Sequence, residues 1–178
     1  MILCTGGCRS GKSAFAQQWV EGRAERRVYV AAAYSGDDEM AARIARHRSV
    51  RGTGWNTLEI AAANWHEPEQ WAEEAARLGD AVLFDCLTLW TSLCLERGLG
   101  EEHTLALTGR LLHSLRACGK PVALVTNEVG MGLVPDNPLG RHFRDIAGLV
   151  NQKAATVADT VAFLVSGLPL YVKGGPGV

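Results

Sequence analysis

This 178-residue sequence has no Cys-x-x-Cys pair, no apolar run long enough to span a membrane, and no excess of charge of either sign. Each absence closes off a class of function. The cysteines at 4, 8, 86, 94 and 118 form an odd set without metal-ligand spacing, which fits reduced thiols and argues against a disulfide framework or a zinc site. A bilayer needs roughly 20 consecutive apolar residues, and none are found. The opening Met1-Ile2-Leu3-Cys4-Thr5 runs straight into glycines, leaving no stretch that reads as a secretory leader. A net charge of -1 offers no basic field for nucleic acid. The expectation is a cytoplasmic protein with no nucleic-acid partner and no transmembrane segment. Repeats, low-complexity tracts and Pro/Ser-rich linkers are also missing. Residues 1–178 therefore read as a single domain, and a 47% hydrophobic composition suffices for a core.

Short apolar runs alternate with helical patterns. Met1–Thr5, Arg27–Ala33, Ala81–Asp85, Pro121–Thr126 and Thr160–Val165 are strand-length and nearly continuous in apolar residues, as strands covered on both faces are. Trp55–Ile60 is more polar and reads as an edge strand, and Leu168–Val172 as a last strand. Lys12–Glu21 and Asp37–Arg48 read as helices, the second with Ser35 three residues before Asp38 as a capping pair. In Pro138–Ala158 the residues Leu139, Phe143, Ile146, Val150, Ala154 and Val157 recur at spacings of 4, 3, 4, 4 and 3, one buried stripe of a long helix. Such alternation predicts an α/β fold with a mostly parallel sheet flanked by helices, its ligands at the carboxyl ends of the strands.

The segment Gly6-Gly7-Cys8-Arg9-Ser10-Gly11-Lys12-Ser13 matches G-x-x-x-x-G-K-S between a strand and a helix. Glycines let the backbone curl so that successive N–H groups face phosphate oxygens at the positive end of a helix. Lys12 supplies a mobile charge for the outer phosphates, and the Ser13 hydroxyl suits a Mg2+ shell. Such a loop calls for an acid on a neighbouring strand, and Asp85 ends the run Ala81-Val82-Leu83-Phe84. Two roles are open to Asp85: metal ligand, or cap of the helix that follows. Two are open to His47 as well. Met40, Ile44 and His47 share a helix face, so the imidazole is either a semi-buried structural group or, among Arg43, Arg46, Arg48 and Arg51, a nucleophile toward an α-phosphate.

The phosphate loop, the stretch Asp38-Glu39-Met40 with Arg43-Ile44 and His47-Arg48, and the run Thr126-Asn127-Glu128-Val129-Gly130-Met131-Gly132-Leu133-Val134-Pro135 occur in that order. Arg141-His142-Phe143-Arg144-Asp145-Ile146-Ala147-Gly148 and Val150-Asn151-Gln152 follow. Together they resemble the bifunctional adenosylcobinamide kinase / adenosylcobinamide-phosphate guanylyltransferase family of cobalamin biosynthesis, from Met1 to about Lys173. The resemblance implies a RecA-like P-loop fold, a homotrimer and a corrinoid substrate, adenosylcobinamide. It implies phosphorylation of the substrate's aminopropanol hydroxyl, then transfer of GMP from GTP to that phosphate through a guanylylated histidine that falls on His47. It also points to Ala33, Tyr34 and Ser35, to Arg48 and Arg51, and to Glu59 as nucleotide contacts. Because phosphate loops do not read the base, ATP is open for the kinase step. Two rival readings are a plain small-molecule kinase with a structural His47, and a nucleotide-dependent switch protein. Cys8 stands where many members have alanine, and Glu67–Asp80 and Arg97–Lys120 match little.

Two constellations stay open. Asn127 and Glu128, with Gly130 and Gly132 beyond them, suit a loop that senses a γ-phosphate or orients the acceptor hydroxyl, or else a glycine turn that caps a helix. Arg141, His142, Arg144 and Asp145 suit a solvated face with an Arg141–Asp145 pair, or arginines reaching across a subunit contact. Trp19, Trp55, Trp65, Trp71 and Trp90 read as core or interface, with Trp55 near enough to the arginine cluster in sequence to meet a base or the corrin.

Overall fold

The computed structural model describes residues 1–32, 52–60 and 64–175. The apolar runs become strands β1 (Ile2–Gly6), β2 (Arg27–Ala31), β3 (Trp55–Glu59), β4 (Ala81–Asp85), β5 (Val122–Val125), β6 (Thr160–Val165) and β7 (Leu168–Lys173). Helices α1 (Lys12–Glu21), α2 (Pro68–Leu78), α3 (Leu87–Glu96), α4 (Glu101–Ala117) and α5 (Pro138–Val157) lie between them. The sheet order is β3-β2-β4-β5-β1-β6-β7, parallel throughout except for the antiparallel β6–β7 hairpin. The polar run at 55–59 is an edge strand, as its composition predicts, and β7 is the opposite edge.

Alternation along the strands sends side chains into two cores. In β4, Val82 and Phe84 join Trp71, Leu87, Trp90, Leu111, Ile146 and Val150 under α2–α5, while Leu83 joins Ala16 and Val20 of α1 on the other face. Trp71 stacks on Phe84 with ring centres 6.0 Å apart and meets Trp90 edge-on at 6.0 Å. Those two tryptophans are core. Trp90 also donates its indole N–H to Thr108 Oγ1 at 3.0 Å, which satisfies the one polar atom it buries.

Two expectations are corrected. Leu139 is 71% exposed although it continues the stripe of Ile146, Val150 and Ala154, because burial along α5 begins only at Ile146 and its first two turns lie beyond the core. Trp55 pairs in register with Arg27, at the amino edge of the sheet, and donates to Glu21 Oε1 at 3.2 Å. That edge is opposite the strand ends from which the phosphate loop leaves, so Trp55 is not placed to meet a base there.

Candidate functional site

One row of in-register residues crosses the sheet near its carboxyl edge: Glu59, Ala31, Asp85, Val125, Cys4 and Ala162. The site is built just beyond it. The phosphate loop leaves β1 at Gly6, whose φ of 152° and crowding leave no room for a side chain: a Cβ there would sit 2.6 Å from Leu164 O and 2.8 Å from Ser10 Oγ. Gly11, at φ 92°, caps α1 and accepts from Phe15 N at 2.9 Å, which starts the helix at the end of the loop. Gly7, Cys8 and Arg9 are exposed, and Ser10 and Ser13 are half-buried. Lys12 is 7% exposed, and its ammonium donates to Gly7 O at 2.8 Å across the loop. Ser10 Oγ is buried without a hydrogen-bond partner, a polar atom aimed into the turn that a phosphate oxygen could satisfy.

Asp85 ends β4 immediately before the cap position of α3. The cap residue is Cys86, and it makes no side-chain cap bond. Burial pushes the Cys4 thiol up to about 12, and the negative charge of Asp85 adds to the effect. Cys86 is likewise pushed up to about 11, chiefly by burial and then by Asp85. Cys8, by contrast, is a free, exposed cysteine on the loop itself. Among the described residues no cluster of three or more His, Cys, Asp or Glu could cage a metal. Ser13 and Asp85 fit a different arrangement, in which Mg2+ takes one carboxylate and one hydroxyl and completes its shell with phosphate and water oxygens. Glu59 lies at the same edge but four strands from β1, about 19 Å at ordinary strand spacing, so the fold does not bring it against the phosphate loop. His47, Ala33, Tyr34, Ser35, Arg48 and Arg51 lie outside the described residues, as do Arg43, Arg46 and the helix expected over 37–48.

A polar network that sequence reasoning did not assemble closes the site from β5. Glu128 N donates to Gly6 O at 3.0 Å, and Thr5 Oγ1 donates to Glu128 Oε1. Asn151, 7% exposed in the middle of α5, donates to Asn127 O at 3.0 Å and to Glu128 Oε1 at 3.3 Å, and accepts from Thr126 Oγ1 at 2.7 Å. Thr88 of α3 accepts from Asn127 N at 2.9 Å. Glu128 precedes the short 3-10 turn Val129–Met131 but makes no side-chain cap bond, which removes the capping reading. The available signal was Asn151 itself, an amide on the apolar face of a helix, where a polar group must find partners.

Beyond Glu128 the segment is tied to α5. Arg144 donates to Gly130 O at 2.8 Å, Arg141 to Pro135 O at 3.1 Å and Asp136 O at 2.8 Å, and Asn137 caps the helix by accepting from Gly140 N at 2.7 Å. The Arg141–Asp145 pair is not formed, because the Arg141 guanidinium is used by two loop carbonyls. Met131, Leu133 and Val134 nonetheless stay largely exposed.

The family model described as "Cobinamide kinase / cobinamide phosphate guanyltransferase" matches residues 2–172. The proteins named "Bifunctional adenosylcobalamin biosynthesis protein CobU" from Salmonella typhimurium and Escherichia coli are each 39% identical, over 97% of this chain and 99% of theirs. The "Bifunctional adenosylcobalamin biosynthesis protein CobP" of Pseudomonas aeruginosa is 39% identical over 98% of each chain. Among solved structures, a KaiC-like protein from Pyrococcus horikoshii superposes with a TM-score of 0.53 at 18% identity, over 91% of this chain and 69% of that one. At that identity the likeness concerns the fold alone, an α/β architecture with a mostly parallel sheet flanked by helices.

Proposed function

The chain belongs to the cobinamide kinase / cobinamide phosphate guanyltransferase family, and on that premise we propose that it activates adenosylcobinamide in two steps at one triphosphate site. The first phosphorylates the substrate's hydroxyl from GTP or ATP. The second transfers GMP from GTP to the new phosphate, releasing pyrophosphate. The observation that carries the reading is the phosphate loop with Lys12 folded across it and Asp85 at the carboxyl end of β4, two strands from β1 with β5 between them, in a chain that matches the family over residues 2–172.

Each residue then has a task. The loop N–H groups and Lys12 hold the phosphates and stabilise charge that shifts between their oxygens during transfer. Ser13 and Asp85 would hold Mg2+, which when bound offsets charge on those oxygens. In the second step an imidazole nitrogen of His47 attacks the α-phosphorus, pyrophosphate leaves, and the phosphate of the acceptor displaces the histidine in turn. This splits one difficult transfer into two easier ones. Ala33, Tyr34, Ser35, Arg48 and Arg51 would complete the nucleotide contacts, with Glu59, four strands from the loop, able to meet only the end of the nucleotide farthest from the outer phosphates. The proposal includes a homotrimer in the cytoplasm. Outward apolar residues on the edge strand, Leu168, Leu170 and Val172, support association of copies, which light scattering of the purified protein measures.

The test is covalent. Protein incubated with α-phosphorus-labelled GTP is expected to acquire label that survives alkali and leaves in acid, as a phosphoramidate does. His47→Asn is expected to acquire none. Base-stable label on the His47→Asn protein would overturn the histidine assignment. Phosphorylation of adenosylcobinamide without any labelling of the native protein would favour the plain kinase.

A further inference from the structure

The kinase step removes a proton from an alcohol, and the phosphate loop, Lys12 and Ser13 suit phosphates and metal without offering a place for that proton. Among the described residues the carboxylates within three residues of the carboxyl ends of β1–β5 are Glu59, Asp85 and Glu128. Glu59 is four strands from the phosphate loop, and Asp85 is suited to the metal. Glu128 is bonded to the loop's own root, its N–H on Gly6 O at 3.0 Å and its Oε1 on the Thr5 hydroxyl. The two carboxylate oxygens are treated differently. Oε1 accepts from both Thr5 Oγ1 and Asn151 Nδ2, whereas no hydrogen bond from a described residue reaches Oε2. Anchoring one oxygen twice fixes the plane of the carboxylate and leaves the other as an oriented acceptor. A structural anchor needs the first feature only; a proton acceptor needs both.

We propose that Glu128 is the general base of the phosphoryl-transfer step, receiving the proton of the acceptor alcohol on Oε2. As the hydroxyl oxygen bonds to the γ-phosphorus, its proton passes to Oε2. The bond from that phosphorus to the β,γ-bridging oxygen breaks, and the nucleoside diphosphate leaves with the electron pair. The inference rests on the kinase activity of the proposed function and adds to it a residue and an atom.

The experiment is transfer of γ-labelled phosphate to adenosylcobinamide in a single turnover, alongside nucleotide affinity measured with a fluorescent analogue. Glu128→Gln keeps an oxygen for Thr5 and Asn151 but replaces Oε2 with an amide, so it separates proton transfer from anchoring. Its transfer rate is expected to fall about 100-fold or more, the ordinary contribution of a general base, with nucleotide affinity held within about twofold. Thr5→Val removes one anchoring donor and keeps the carboxylate, and its rate is expected to fall by less than about tenfold. Glu128→Asp, which keeps a basic oxygen, should recover part of the rate lost in Glu128→Gln. A Glu128→Gln rate within about threefold of the native one overturns the inference. So does equal loss in Glu128→Gln and Thr5→Val, or loss of nucleotide affinity in parallel with rate, because each assigns Glu128 to structure. If the native protein transfers no phosphate to adenosylcobinamide, the proposed function itself fails, an outcome distinct from these.

Discussion

Replacing Asn151 by aspartate changes one nitrogen to oxygen and almost nothing in size, yet it inverts the polarity of the network that ties α5 to the site. Asn151 Oδ1 accepts from Thr126 Oγ1 at 2.7 Å, a bond the new carboxylate retains. Its Nδ2 donates to Asn127 O at 3.0 Å and to Glu128 Oε1 at 3.3 Å, and both bonds are lost. The neutral bond contributes about 1 kcal/mol and the bond to a charged acceptor about 2 kcal/mol, so the loss is about 3 kcal/mol before any charge repulsion. For a domain of this size each kcal/mol moves the melting temperature by roughly 2–4 °C, which predicts a fall of about 6–12 °C near neutral pH. The introduced carboxylate, buried and facing Glu128, has its folded-state pKa raised. Its penalty is therefore full above that raised value and relieved as pH falls through it, when a shared proton restores a donor between the two carboxylates. Melting of native and Asn151→Asp protein by circular dichroism at about pH 7.5 and about pH 5 should show the gap narrowing at the lower pH. A gap under about 2 °C at neutral pH, or one that is identical at both, would refute the account of Asn151 as a donor held against Glu128.

Lys12→Ala removes the ammonium that spans the loop to Gly7 O and should slow both transfer steps by about 2.7–4 kcal/mol of barrier while the melting temperature changes little. Near-native rate in either step would defeat the single shared triphosphate site. Asp85→Asn keeps size and loses charge, so the magnesium concentration for half-maximal activity should rise more than thermal stability falls; the reverse pattern would remove Asp85 from the metal shell. At the opposite edge of the sheet, bonds from Arg26 and then Lys120 hold the Asp80 carboxyl down from 3.8 to about 2. A depressed carboxylate stabilises the fold above its unfolded pKa and loses that contribution as pH falls from about 3.8 to about 2. Acid titration of stability in Asp80→Asn should therefore be shallower than native across that window, and an unchanged slope would show that the three residues form no working network.

The sequence by itself determined what depends on neighbours along the chain. Gly6, Gly11, Lys12 and Ser13 announce a phosphate loop because backbone curl and helix start are set within a few residues. The run Ala81–Asp85 announces a doubly covered strand, and the polar run at Trp55–Glu59 an edge, because side-chain period and solvent exposure are read locally. Tertiary structure alone decided which distant residues share the site. Insertion of β1 between β5 and β6 sets Glu128 against Thr5 and Gly6, 123 residues apart in the case of the Thr5 bond. The path of α5 brings Asn151 under Asn127 and Glu128 and leaves Leu139 in solvent although Leu139 continues the helical stripe of Ile146 and Val150. The sheet register puts Trp55 at the amino edge, away from the phosphates, where its sequence neighbourhood had suggested the reverse. Cross-strand neighbours are fixed by strand order and by the burial of whole faces. That collective free-energy balance leaves no signature in the spacing of any one segment.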